Sequence, residues 1–332
     1  MAGLYLPTDA VAGSSINVDL AADYLELSAF FAAAGAARTS DVANAVSFGA
    51  AEDHSDVHAE MFDGEEEIVS SAAYRIQTRQ DVLGTVYPFD LDRRGEVLTC
   101  ELNGESFGQT AYVLSLVLSN LRAVTPVLGT SDLHPGDAEV RRLREYFQYF
   151  ATAALAAEVE GAAWSFGSPR PDRSGFLAKL EQIWEQLGDG LVQRQIGAPE
   201  RPQDDQVDVF VARMHPDSLP GFLLAAAQVA TGADWRQKSL KAHLGVFKSR
   251  WFGTQPVTDF IPYMVVPFAT ADNQFVDDVR VMGNVLHRLR VPRRVEEAAR
   301  LVEMGVTIEC YDRLAEVARW VAEYRNRAGA AA

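Results

Sequence analysis

An acidic residue and an amide residue occupy matching positions in two apolar segments, Val207–Met214 and Phe222–Val229. The HPDSLPG sequence between the segments contains two prolines and one glycine, so the pattern predicts two strands joined by a loop. A pairing that is symmetric about Ser218 sets Asp208 directly opposite Gln228. Side chains opposite each other in an antiparallel pair have Cβ atoms roughly 4.5–5.5 Å apart, so a carboxylate and an amide oxygen at these positions can reach one hard cation.

Two lysines follow the second predicted strand. A Thr-Gly turn comes first, and the residues after it predict a helix with Lys238 and Lys241 in its first turns. An acid, an amide oxygen and a nearby lysine suit metal-assisted phosphodiester hydrolysis, because the cation activates water and the ammonium offsets charge on the phosphate. The predicted cation is Mg²⁺ or Mn²⁺, with Asp208 and Gln228 as its ligands and one of the lysines on the phosphate side.

Asp204 and Asp205 lie just before the first of these strands. Asp205 is a further candidate metal ligand, since it can supply a second oxygen if two cations bind. The alternative is that both acids keep the entry to the strand solvated. We therefore expect replacement of Asp208 to abolish activity and replacement of Asp204 to leave most of it.

The order of a helix, a strand with Asp208, a loop, a strand ending in Gln228 and a helix with lysine resembles the restriction-endonuclease-like superfamily, known by its PD-(D/E)xK pattern. It is similar in particular to the branch in which glutamine replaces the second acid. The VDVFVAR and AAAQVATGADW sequences also resemble an uncharacterised group of such domains associated with bacterial antiphage defence. The resemblance covers roughly residues 137–270 and implies a metal-dependent DNA endonuclease, the effector of a defence system that depends on a protein partner or a trigger.

The resemblance also identifies one further candidate and one departure. Glu145 lies on the predicted helix Asp137–Glu160. The resemblance implies that this glutamate approaches the metal, and the alternative is that its carboxylate faces solvent. The family pattern places lysine two residues after the second acid, where this chain has Ala230, so Lys238 or Lys241 must substitute for it. Ala230 supports a second hypothesis, a catalytically inactive nuclease-like scaffold or the specificity subunit of a multiprotein defence complex.

The elements that position these residues lie in the middle of the chain. A sequence with two prolines and two glycines, TPVLGTSDLHPG, predicts a domain boundary. We expect a largely helical region of unknown role over residues 1–135, a restriction-endonuclease-like core over 136–270 and a helical extension over 271–332, whose first helix runs from Asn273 to Leu289. The expected fold class is mixed α/β, with a mixed central sheet flanked by helices.

Composition indicates a cytoplasmic globular protein. Of the 332 residues, 48% are hydrophobic and 23% are charged, and because the chain has no long apolar run, we expect no membrane partner. The first 30 residues contain acids but no lysine or arginine, which argues against a signal peptide. Two cysteines, Cys100 and Cys310, form no disulfide framework, as is typical of a reduced compartment. The sequence leaves open whether the protein forms a homo-oligomer.

The net charge of −16 argues against a free-standing DNA-binding protein, because an acidic protein repels the phosphate backbone at long range. The charge is uneven, however. Residues 52–67 are strongly acidic, whereas residues 236–250 and 288–294 are basic. This distribution predicts a local basic groove in a nuclease whose DNA is delivered by a partner or whose activity is normally restrained.

Overall fold

The computed structural model describes residues 17–45, 61–121, 127–129, 131–269 and 272–327, together with residues 4 and 6. The predicted acidic segment 52–67 therefore lies mostly outside the described residues. The chain forms two compact units, the first from residues 1–143 and 316–332 and the second from residues 144–315.

Helices account for most of the regular structure. They are α1 (Val18–Phe31), α2 (Met61–Leu83), α3 (Phe107–Ser119), α4 (Asp137–Val159), α5 (Phe176–Leu187), α6 (Leu240–Trp251), α7 (Asp272–Met282), α8 (Val291–Glu303) and α9 (Leu314–Arg325). The strands are β1 (Ala36–Arg38), β2 (Phe89–Leu91), β3 (Val97–Cys100), β4 (Ala162–Ser165), β5 (Leu191–Val192), β6 (Val209–Arg213), β7 (Leu223–Val229), β8 (Phe252–Thr254), β9 (Phe260–Val265) and β10 (Asn284–Leu286).

The first unit contains a three-stranded sheet in the order β1-β3-β2 and a buried ion cluster. Arg79 on α2 is fully buried and donates to Glu26 Oε1 at 2.7 Å, and it also forms ion pairs with Asp19 and Asp23. The hydroxyl of Tyr112 donates to Glu26 as well. A buried guanidinium is tolerated only when its charge is paired and hydrogen-bonded, so this cluster ties α1 to α2.

The second unit is built on a five-stranded sheet in the order β10-β9-β7-β6-β4. The β4-β6 and β6-β7 pairs are antiparallel, whereas the β7-β9 and β9-β10 pairs are parallel. A separate two-stranded pair joins β5 to β8. The mixed α/β class with a mixed central sheet flanked by helices is confirmed.

The register between β6 and β7 is the one that symmetry about Ser218 predicts. Val209 pairs with Ala227, and the pairing continues to Arg213 and Leu223 next to the loop. Because the side-chain period of a strand is two residues, a shift by a single residue would move every buried side chain to the opposite face. The apolar pattern of both strands therefore fixes this register.

An aromatic core packs against one face of this sheet. Phe210 on β6 lies 5.1 Å from Trp184 on α5 and 6.0 Å from Phe247 on α6, measured between ring centroids. Ala226 on β7 belongs to the same buried cluster. Helices α5 and α6 are therefore held on the face that carries Phe210 and Ala226.

The first helix of the C-terminal extension is shorter than the predicted range from Asn273 to Leu289. Helix α7 ends at Met282, and β10 adds an edge strand parallel to β9. Gly283 between them has a φ of 89° in the left-handed region, and a Cβ there would stand 2.7 Å from atoms of Pro262. The helical pattern continues through β10, but this close approach and the burial of Val285 favour the strand.

The close approach of Gly161, just before β4, to the backbone of β6 gives a stability prediction. A Cβ on Gly161 would collide with the carbonyl of Ala212 and stand 2.7 Å from the nitrogen of Arg213. Gly161→Ala should lower the free energy of unfolding by about 1–3 kcal/mol, because the backbone itself must shift. Gly245→Ala, on α6 with nothing near its Cβ, should instead gain up to about 1 kcal/mol. Chemical denaturation of both variants, followed by fluorescence, checks the prediction, and equal stability of the two would contradict it.

Candidate functional site

Asp208 is held by backbone hydrogen bonds on both sides. Its N–H donates to the carbonyl of Ala227 at 2.8 Å, and its own carbonyl accepts from the N–H groups of Phe166 and Gly167 at 2.7 and 2.9 Å. The regular pairing ends at Val209 and Ala227, and Asp208 is placed alongside Gln228 by its bonds to the residues on either side of it, through its N–H to Ala227 and its carboxylate to Val229. The backbone of Asp208 is therefore fixed between two neighbouring strands.

The Asp208 side chain points between β7 and the residues that follow β4, since its Oδ1 lies beside Gly167. Its Oδ2 accepts from the N–H of Val229 at 2.7 Å. Burial, together with the nearby charge of Asp204, raises the pKa of this carboxyl to about 7, while the Val229 N–H and the Lys238 ammonium oppose the rise. A carboxyl with this pKa changes its charge near neutral pH.

Gln228 lies near the end of β7 and is only 8% exposed. Its Oε1 is buried and accepts no hydrogen bond from the described residues. A buried amide oxygen without a donor costs about 1–3 kcal/mol, so such an atom is a sign of a missing ligand or of stored strain. Gln228 and Asp208 thus direct two oxygen acceptors to the same end of the sheet.

The structure adds Gln148 on α4 to these residues. Its Nε2 donates to Ser165 Oγ at 2.7 Å, and its Oε1 lies 2.6 Å from the place where a Cβ of Gly167 would be. The Oδ1 of Asp208 lies 2.5 Å from the same place. The sequence marks Gln148 in one way: it is the one amide in a helical stretch of buried aromatic residues, YFQYF.

Glu145, the predicted outer contributor from α4, has another partner. Its Oε1 accepts from the hydroxyl of Tyr149 at 2.6 Å. Burial and the hydrogen bond to Glu145 raise the pKa of that phenol. The structure therefore brings α4 to the site through Gln148 and engages Glu145 one turn earlier in a bond within the helix.

The two candidate lysines differ in position. The predicted helix begins later than expected: a 3-10 turn covers Trp235–Gln237, and α6 starts at Leu240. Lys238 lies between them, half-exposed, with its ammonium 3.1 Å from Asp234, and its charge lowers the pKa of Asp208. Lys241 donates to the backbone carbonyl of Arg280 at 3.0 Å. Of the two, Lys238 is thus the lysine with an electrostatic effect on Asp208.

Asp205 belongs to a different network. Its Oδ1 accepts from Arg250 at 2.8 Å and from His243 at 3.2 Å, and its Oδ2 accepts from the Trp251 indole at 2.7 Å. Asp205 and Gln206 both have left-handed backbone angles, with φ of 47° and 70°. Because both oxygens of Asp205 already have donors, it anchors the strained entry to β6 on helix α6 rather than joining the oxygens around Asp208.

The donor set around Asp208 fits a hard divalent cation. The described residues contain no group of three or more histidine, cysteine, aspartate or glutamate side chains that could hold a metal. Asp208 contributes one carboxylate, and Gln228 and Gln148 contribute amide oxygens, all of them ligands that Mg²⁺ accepts alongside retained waters. The orphaned oxygen of Gln228 is the observation that favours a bound cation here.

The position of the missing lysine is apolar. Ala230 is 5% exposed and belongs to a buried cluster that includes Trp235 and Met264. Position 230, where the PD-(D/E)xK pattern has lysine, is therefore part of the core in this chain.

No family model matches the chain, and no curated protein or solved structure matches it either. In the described part of the chain, no helix is long and apolar enough to cross a membrane.

The raised pKa of Asp208 predicts how stability changes with pH. The carboxyl ionises near its ordinary value of 3.8 in the unfolded chain but near 7 in the folded chain, so the unfolded state loses its proton first and wild-type stability falls between those values. Asp208→Asn removes this loss, worth at most about 1.4 kcal/mol per unit of pKa difference. The variant should therefore gain stability relative to wild type from pH 4 to 7, and the difference should stay level above pH 7.

Chemical denaturation in a chelating buffer across this pH range measures the effect. Asp217→Asn, on the exposed loop between β6 and β7, is the matched control for the loss of one carboxylate. A stability difference between Asp208→Asn and wild type that does not change with pH would contradict the raised pKa.

Proposed function

We propose that this protein is a metal-dependent endodeoxyribonuclease, and that it acts as the effector of a bacterial antiphage defence system under the control of a partner or a trigger. The observation that carries the proposal is the buried, unpartnered oxygen of Gln228, next to Val229, whose N–H bonds the Asp208 carboxylate. The defence role rests on the resemblance of the two strand sequences.

Each residue of the site has a role that its geometry supports. Asp208 and Gln228 would hold Mg²⁺ or Mn²⁺, which supplies activation of water and neutralisation of phosphate charge when bound. Asp208 accepts the Val229 N–H through Oδ2, which orients its Oδ1 as the ligand oxygen. Lys238 supplies a positive charge near the carboxylate and requires release from Asp234 to approach a phosphate.

The charge distribution supports dependence on a partner or trigger. At least five of the nine lysines and arginines in the two basic segments have acidic partners: Arg236, Lys238, Arg250, Arg293 and Arg294. Paired cations contribute less to phosphate binding than free ones, and the chain is acidic as a whole. We therefore expect weak intrinsic affinity for DNA.

Plasmid cleavage in the presence of Mg²⁺ or Mn²⁺ tests the proposal. Asp208→Asn should lower the rate at least about 100-fold, because it removes the only carboxylate of the ligand set, a loss of the size that single catalytic groups produce. Asp217→Asn should cleave like wild type. Cleavage retained in Asp208→Asn would contradict the assignment.

The lysine assignment has its own test in the same assay. Lys238→Ala should lower the cleavage rate by about 10-fold or more, because an ammonium near the phosphate is lost. Lys241→Ala should stay close to the wild-type rate, since its ammonium bonds the Arg280 carbonyl instead. The opposite order of the two variants would move the role to Lys241.

A non-catalytic scaffold or specificity subunit of a defence complex is the second candidate, and the buried Ala230 favours it. The plasmid assay combined with binding measurements distinguishes this candidate from the nuclease. DNA or protein binding without cleavage, unchanged in Asp208→Asn, would support the scaffold.

A further inference from the structure

Gly167 lies between the Asp208 carboxylate and the Gln148 amide. A Cβ at this position would stand 2.5 Å from Asp208 Oδ1 and 2.6 and 2.8 Å from the Oε1 and Nε2 of Gln148. The φ angle of Gly167 lies outside the left-handed region, so backbone conformation does not require glycine there. Space does, because any other side chain would push one of the two polar groups away.

The Gln148 amide is oriented by a buried scaffold. Its Nε2 donates to the hydroxyl of Ser165, a fully buried residue at the end of β4. The N–H of Ser165 donates to Glu309 Oε2 at 2.9 Å, and the other oxygen of Glu309 forms an ion pair with the buried Lys179 at 2.6 Å. Since the NH₂ group is directed to Ser165, the amide oxygen is the atom that Gln148 offers near Gly167.

Two acceptor oxygens, Gln148 Oε1 and Asp208 Oδ1, therefore lie beside one glycine, at most about 5 Å apart. Two acceptors on either side of one position favour a proton or a cation between them. The orphaned oxygen of Gln228, on β7, is a third acceptor in need of a positive partner. Gln228 is the neighbour of Val229, whose N–H bonds Asp208 Oδ2, so its amide belongs to the same part of the molecule. A hard cation accepts several oxygens at once, whereas a shared proton serves only one pair.

We propose that Gln148 supplies the third protein oxygen of the cation site, in place of Glu145, and that Gly167 is the residue whose missing side chain makes this possible. The inference rests on the proposed function and deepens it. It assigns to this chain a ligand set of one carboxylate and two amides, a set with low charge that predicts weak, millimolar-range cation affinity in the absence of substrate.

Binding of Mn²⁺ to the full-length protein without DNA, followed by electron paramagnetic resonance of the free ion, tests the ligand set. Gln148→Ala and Gly167→Ala should each weaken Mn²⁺ binding about tenfold or more, the loss typical of removing one metal-supporting group. Gln148→Glu should bind at least as tightly as wild type, because a carboxylate then replaces the amide oxygen. Glu145→Gln, which keeps an acceptor for Tyr149, should bind like wild type.

The outcomes separate this inference from the proposed function. Loss of Mn²⁺ binding in Asp208→Asn, with wild-type affinity in both Gln148→Ala and Gly167→Ala, would overturn the role of Gln148 and leave the nuclease proposal standing. Absence of Mn²⁺ binding by the wild-type protein would overturn both. If either alanine variant fails to fold by circular dichroism, Gln148→Glu decides, and weaker binding by that variant would reject the inference.

Discussion

The antiparallel register of β6 and β7 is the constraint on which the site depends. It pairs Val209 with Ala227, and Asp208, the residue before Val209, bonds Ala227 and Val229 on either side of Gln228. The aromatic core beneath Phe210 holds this register, since a slip by one residue would turn Phe210 out of its contacts with α5 and α6. The chemistry of the site is thus stabilised by the same packing that stabilises the sheet.

The β6-β7 hairpin, its register and the limits of helix α5 follow from local sequence. The β6-β7 hairpin is predictable because the apolar runs are clear and the loop has an obvious centre at Ser218. Helix α5 is predictable because its apolar stripe stops at Gly188, which adopts the left-handed conformation that ends helices. In both cases, residues close in sequence carry the information.

The rest of the site depends on contacts between distant segments. Gln148 approaches Asp208 only because α4 lies next to Gly167, two residues after β4, a contact that no spacing rule contains. Lys241 and Asp205 look like site residues in the sequence, but their side chains bond to a carbonyl of α7 and to donors on α6. Strand β10 is only three residues long, and it is recognised by its parallel partner rather than by its own pattern.

The anchoring of Asp205 links the carboxylate side of the site to α6. The indole of Trp251, at the C-terminal end of that helix, and the ring of His243, near its middle, both bond to this aspartate. The segment before the helix carries Lys238. Helix α6 is therefore joined both to the loop leading to Asp208 and to the segment that carries Lys238, so a displacement of this helix would move the two together.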